Sequence, residues 1–184
     1  MTIRIAGVSC SRRAKSYTRR AVRYALATAR EAGAETDFID LGDVDLPLYH
    51  PDRDEQGESV ALKRRVRLAD GVLLGSPVYH GSYSSTFRNF HDYCGWDEYE
   101  DTTVGLIAVA GGGSYASTLD HLRITVRGVH GYVVPEQVGI RNASDKFEGD
   151  RPIDEDIADR LESLGEEVVR QARYRMLPVD SPER

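Results

Sequence analysis

Two runs in this chain are apolar without interruption: "GVLLG" at 71–75 and "VGLIAVA" at 104–110. A strand with one wet face alternates apolar and polar residues, whereas a short continuous run fits a strand covered on both faces. Three further runs, at 3–8, 36–41 and 132–140, complete a set of five. Between them lie longer segments of helical period. Residues 16–33, "SYTRRAVRYALATAREAG", put Ala21, Ala25, Thr28 and Ala32 on one face, with Gly33 as a C-terminal stop. Leu62, Val66 and Ala69 mark a second helix. Phe87, Phe90 and Cys94 mark a third, capped by Ser84 or Ser85. Leu119, Leu122, Val126 and Val129 mark a fourth. Ile157, Leu161, Leu164 and Val168 mark the last, opened by the acidic turn "DEDIAD" that suits a helix N-terminus.

Strands alternating with helices predict right-handed βαβ units and a parallel sheet. Five of each predict an α/β fold: a flavodoxin-like, doubly wound, five-stranded parallel sheet of order 2-1-3-4-5 with helices on both faces. The length of 184 residues suits a single domain over 1–184, with the last residues, 177–184, as a frayed tail. "DVDLPLYHPDRDEQGE" and "RNASDKFEGDRP" read as long loops. No run approaches the roughly 20 apolar residues of a membrane helix. The strand-like pattern from Met1 onward predicts no signal peptide and a cytoplasmic setting. Two cysteines, Cys10 and Cys94, without a CxxC or a metal-like histidine spacing, predict neither a disulfide framework nor a metal site. A net charge of −6 argues against nucleic acid as a partner.

In a doubly wound sheet, ligands bind at the carboxyl ends of the strands, so the loops after the first, third and fourth strands carry the candidate site. The first, "SCSRRAKSYTRR", offers Ser9, Ser11, Arg13, Ser16, Tyr17 and Thr18 at the entry to a helix. Hydroxyls, an arginine and helix N-terminal N–H groups are what a phosphate monoester requires. A solvated basic helix face with a serine cap is the alternative. The loop has neither G-x-x-x-x-G-K-[ST] nor G-x-G-x-x-G, which counts against a nucleotide P-loop and a Rossmann dinucleotide site. Cys10 raises a thiolate phosphatase with C-x5-R, but the arginine position is Ser16, so a small buried cysteine fits better. The second loop provides Pro77, Val78, Tyr79, His80, Gly81, Ser82 and Tyr83 as an aromatic wall. The third provides Ala110, Gly111, Gly112, Gly113 and Ser114 as a floor whose backbone can approach a ligand closely. A phosphate cradle, an aromatic wall and a glycine floor at one sheet end together fit FMN.

On these residues the chain resembles the NADPH-dependent FMN reductases, flavodoxin-like proteins that include quinone, azo-dye and chromate reductases. The family's first loop, G-S-x-R-x-x-S-x-N, is matched at Ser11, Arg13 and Ser16, with Cys10 for Gly and Thr18 for Asn. Its second, P-x-Y-N-x-S, is matched at Pro77, Tyr79 and Ser82, with His80 where many members have Asn. Gly111–Gly113 and the following "HLR" match the third. The resemblance implies hydride transfer from NADPH or NADH to FMN and on to a small-molecule electron acceptor: a quinone, azo compound, metal ion or free flavin. It also implies a homodimer or homotetramer with the flavin near the interface, which "HDYCGWDEYED" around Trp96 could form. Because the cofactor carries the chemistry, no catalytic side chain is expected. The competing classes are a flavodoxin-type electron carrier, whose usual T-x-T-G-x-T is absent, a flavin reductase supplying a partner monooxygenase, and a non-redox binding protein.

Overall fold

The computed structural model describes residues 2–177. Five parallel strands form one sheet: β1 (Arg4–Ser9), β2 (Glu35–Asp40), β3 (Gly71–Pro77), β4 (Thr103–Val109) and β5 (Tyr132–Ile140), in the order β2-β1-β3-β4-β5. The expected doubly wound topology is therefore present. Six helices connect and cover it: α1 (Tyr17–Glu31), α2 (Ser59–Arg67), α3 (Ser85–Tyr93), α4 (Trp96–Tyr99), α5 (Ala116–Gly128) and α6 (Glu155–Arg175).

Side chains alternate across each strand, so the two faces have separate cores. Ile5, Leu73, Ile107 and Val109 pack with α1 and α6 on one face. Ala6, Val8, Val72, Leu74, Val104, Leu106 and Ala108 pack with α2, α3, α4 and α5 on the other. Every residue of β3 and β4 is buried, which is the physical reason that their sequences are continuous apolar runs. Gly75 lets α1 lie against the sheet next to the candidate site. A Cβ there would stand 2.3 Å from Val22 Cγ2 and 3.1 Å from Thr18 Cγ2.

Three features were not expected from sequence. One-turn α4 follows α3. The segment expected as a loop after β5 instead contains a 3₁₀ turn at Ala143–Asp145 and a small antiparallel pair, β6 (Phe147–Glu148) with β7 (Arg151–Pro152). Ala32 and Val129 are the cap residues just beyond α1 and α5 and are only half-buried, rather than part of the helical stripes. Of the tail expected at 177–184, only Leu177 lies within the described residues.

Candidate functional site

The chain turns in opposite directions from β1 to β2 and from β1 to β3, and such a switch point opens a crevice at the strands' carboxyl ends. A cleft of about 360 Å³ lies there. Ser11, Arg13, Ser16, Tyr17 and Thr18 line it from the first loop, Pro77, Val78 and Tyr79 from the second, and Ala110 and Gly111 from the third. The three loops proposed from sequence thus meet at one cavity.

The loop after β1 is held from below and behind. The Cys10 N–H continues the β1–β3 pairing by donating to the Gly75 carbonyl (2.9 Å), and the Ser84 hydroxyl donates to the Cys10 carbonyl (2.7 Å). Ser84 also caps α3, accepting from the Phe87 N–H at 3.1 Å. Ser16 caps α1, accepting from the Arg19 N–H at 3.1 Å. The Arg19 guanidinium reaches back to donate to the Ala14 carbonyl (2.8 Å) and pairs with Asp40 at the end of β2.

These tethers leave a set of donors unused. Among the described residues, the peptide N–H groups of Ser11, Arg12, Ala14, Lys15, Ser16, Tyr17 and Thr18 meet no acceptor. Unpaired amides at the start of a fifteen-residue helix, beside the exposed Arg13, form a site for an anion. The Ser9 hydroxyl is fully buried at the end of β1, also without a partner among the described residues. It stands in the strand rather than in the cleft wall.

The second loop is a tight turn. The Tyr79 N–H donates to the Ser82 carbonyl (2.9 Å) and the Ser82 N–H to the Tyr79 carbonyl (3.1 Å). Its two central residues are left-handed, His80 with φ +51° and Gly81 with φ +78°. A two-residue turn with both centres left-handed prefers Asn-Gly, because few side chains tolerate that region, and histidine is among those that do. The His80 substitution for the family's Asn thus preserves the turn. The turn is fastened to α5 by the Ser117 hydroxyl donating to the Gly81 carbonyl (2.6 Å) and by the Ser82 hydroxyl meeting His121 Nδ1 (2.9 Å). Tyr83 packs edge-on against Phe87, with ring centroids 4.6 Å apart. His80, Gly81, Ser82 and Tyr83 consequently shape the wall from behind instead of lining the cleft.

In the third loop only Ala110 and Gly111 line the cleft; Gly112, Gly113 and Ser114 lie outside its wall. None of the three glycines has a left-handed φ, so conformational need does not explain them. A Cβ on Gly111 meets nothing within 4 Å, so a side chain there would extend into open space at the cleft. Sequence reasoning missed three lining residues, Val109, Ala143 and Ser144. The last two come from the 3₁₀ turn after β5, brought to the cleft by the Ala143 N–H donating to the Ala110 carbonyl at 3.2 Å.

The cleft contains no carboxylate or imidazole among its lining residues. Nearby Cys10 is fully buried, and burial together with Asp40 pushes its thiol pKa well above the usual range. A neutral, enclosed thiol does not act as a nucleophile. Hydroxyls, aliphatic and aromatic groups, backbone and one arginine make up the lining, which suits binding and orienting a ligand.

A doubly wound parallel sheet with a cleft at its switch point defines a flavodoxin-like protein. The sequence pattern of NADPH-dependent FMN reductases matches residues 3–145. The FMN-dependent NADPH-azoreductase of Staphylococcus aureus is 32% identical over 139 residues, which cover 72% of this chain and 74% of that protein. Among solved structures, an oxidoreductase from Corynebacterium diphtheriae shares the fold with a TM-score of 0.77 and 21% identity, over 94% of this chain and 98% of that one. The NAD(P)H:acceptor oxidoreductase FerB of Paracoccus denitrificans does so with a TM-score of 0.73 and 20% identity, over 95% and 99%. The chain belongs to the NADPH-dependent FMN reductase family. It is an FMN-dependent NAD(P)H oxidoreductase, with FMN as cofactor and NADPH or NADH as electron donor. Among the described residues no helix is long and apolar enough to cross a membrane.

Proposed function

We propose that the cleft holds FMN with its phosphate on the first loop and its ring system between the second and third, and that a small planar acceptor is reduced there. The observation that carries this reading is the set of unpaired N–H groups beside Arg13 at the cleft's end. A dianion satisfies such groups with charge-assisted bonds, whereas water alone leaves the arginine without a counter-charge. Ser11, Arg13, Ser16, Tyr17 and Thr18 bind the phosphate, and Ser9 supports them from within the sheet. Pro77, Val78 and the half-exposed ring of Tyr79 face the flavin ring on one side, with His80, Gly81, Ser82 and Tyr83 holding that wall in place. Ala110 and Gly111 face it on the other, backed by Gly112, Gly113 and Ser114.

The chemistry the flavin supplies when bound is two-electron transfer from NAD(P)H to the acceptor. The chain's own residues bind, orient and exclude water. With no carboxylate or imidazole among the lining side chains, the proton that follows the hydride comes from solvent. Acceptors of this reading are quinones, azo compounds, metal ions or free flavin. The molecule works as a cytoplasmic homodimer or homotetramer with the flavin near the interface.

Flavin titration with fluorescence quenching tests the phosphate site. Arg13→Ala should raise the FMN dissociation constant by roughly 10- to 100-fold, because a hydrogen bond to a charged group contributes about 1.5–3 kcal/mol. An unchanged constant overturns the assignment. Anaerobic addition of NADPH should bleach the bound flavin, and re-oxidation by an azo dye or quinone should restore it. Flavin that only a protein partner can reduce would make the chain an electron carrier instead.

A further inference from the structure

Among the described residues, the glycine loop has one side-chain tether beyond its own residues, and it comes from a segment that sequence reasoning treated as a plain loop. Arg141, the first residue after β5, donates from Nε to the Gly112 carbonyl at 2.7 Å. Gly112 is the middle of three glycines, and the nearest contact a Cβ there would make is Asn142 Oδ1 at 3.7 Å. Cβ atoms on Gly111 and Gly113 would touch nothing. Three consecutive residues without side chains in open space have a large conformational freedom to lose when a ligand settles on them.

A clamp orders a loop only if its own base is fixed, and this base is. The Ala143 N–H is bonded to the Ala110 carbonyl at 3.2 Å. Lys146 pairs with Asp154, which in turn caps α6 by accepting from the Ile157 N–H at 3.1 Å. Phe147 packs against Tyr17, a lining residue of the cleft, with ring centroids 5.8 Å apart. Arg141 thus extends from a segment anchored to the sheet, to α6 and to the first loop.

The peptide group is planar and trans, so the Gly112 carbonyl and the Gly113 N–H point in opposite directions. Holding one fixes the other. Among the described residues the Gly113 N–H has no acceptor. We propose that Arg141 is a positioning residue that sets the Gly112–Gly113 peptide before flavin binds, so that the glycine loop meets the ring already ordered. This rests on the reading that the third loop faces the flavin ring. Such preorganisation acts on affinity, because the ordering cost is met during folding rather than at binding.

Two measurements test it. Backbone ¹⁵N relaxation on the flavin-free protein reads the clamp itself: Arg141→Ala should lower the order parameters at Gly113 and Ser114 while the strands keep theirs. Arg141→Lys, which retains a single donor, should fall between the two. FMN titration reads the consequence: Arg141→Ala should weaken binding about tenfold, the effect of one hydrogen bond and its ordering, with a change in the visible circular dichroism of the bound flavin. Unchanged order parameters in Arg141→Ala overturn the clamp. Lowered order parameters with unchanged flavin affinity and dichroism overturn the positioning role. An error in the underlying site assignment shows separately, as an Arg13→Ala protein that binds FMN like the wild type.

Discussion

Arg19 and Asp40, 21 positions apart, join the first turn of α1 to the carboxyl end of β2. Their side chains are 19% and 7% exposed, and each has a second task. Arg19 also holds the Ala14 carbonyl at 2.8 Å, and Asp40 accepts from the Gly42 N–H at 3.1 Å. The pair therefore fixes the back of the anion loop to the sheet edge. Arg19→Ala leaves a nearly buried carboxylate without its partner, and a loss of about 2–3 kcal/mol in urea unfolding is expected, below the full cost of a completely buried pair. FMN affinity should fall with it, as the loop loses the Ala14 tether. Asp40→Asn keeps an acceptor for Gly42 and should cost less on both measures.

The turn at His80 predicts a different pattern. A β-branched side chain at φ +51° is strained by on the order of 2 kcal/mol. His80→Val should lower the urea midpoint accordingly. His80→Asn, which tolerates that conformation, should leave it unchanged or raise it slightly. Equal stability of the two variants would mean that the turn rearranges freely.

His91 is buried in α3, stacked on Phe87 with ring centroids 5.3 Å apart. Its Nε2 meets the Thr125 carbonyl at 3.2 Å, which places the proton on that nitrogen. Burial, reinforced by Arg88, lowers its pKa from 6.5 to about 4. The folded state therefore binds fewer protons than the unfolded state between those values. Stability is fully present above pH 6.5 and is lost as the pH falls toward 4, by roughly 3 kcal/mol in all. His91→Gln should flatten this part of the profile in unfolding titrations run from pH 7 to pH 4.5. A slope equal to the wild type would assign the acid sensitivity to other groups.

The glycines of the third loop are separable. Gly111→Val extends a side chain into the cleft and should weaken FMN binding tenfold or more, for a steric cost of about 1–3 kcal/mol, with unfolding unchanged. Gly112→Val meets only Asn142 at an ordinary contact distance and should bind FMN more nearly like the wild type. Titrating both variants side by side decides whether the cleft or the loop as a whole matters.

How far the sequence could be read depended on where each signal resides. The strands were legible because β3 and β4 are buried on both faces and carry that fact in every residue. The place of the first loop at the cleft was legible because hydroxyls, arginine and a helix start are adjacent in the chain. Ala143 and Ser144 were not, since they reach the cleft only through the hydrogen bond from Ala143 to Ala110 across the sheet. "RNASDKFEGDRP" has the composition of a solvated loop, and its order comes from Phe147 on Tyr17 and Lys146 on Asp154, both contacts distant in sequence from the signals that composition provides. The glycines of the third loop serve space rather than backbone conformation: none is left-handed, and a Cβ on Gly111 or Gly113 meets nothing.

The long helix α6 gives the family resemblance a second meaning. The matched pattern stops at residue 145, ten positions before α6 begins. Yet Ile157, Leu161, Leu164, Val168 and Val169 cover the same sheet face as α1, and the two helices approach so closely at Gly165 that a Cβ there would stand 2.4 Å from the Ala25 carbonyl. The matched sequence pattern is therefore shorter than the stretch that folds. A chain cut at the end of that pattern would retain every residue of the first loop and still expose to water the part of the sheet face that α6 covers. Anyone transplanting this cleft into another protein must carry α6 with it.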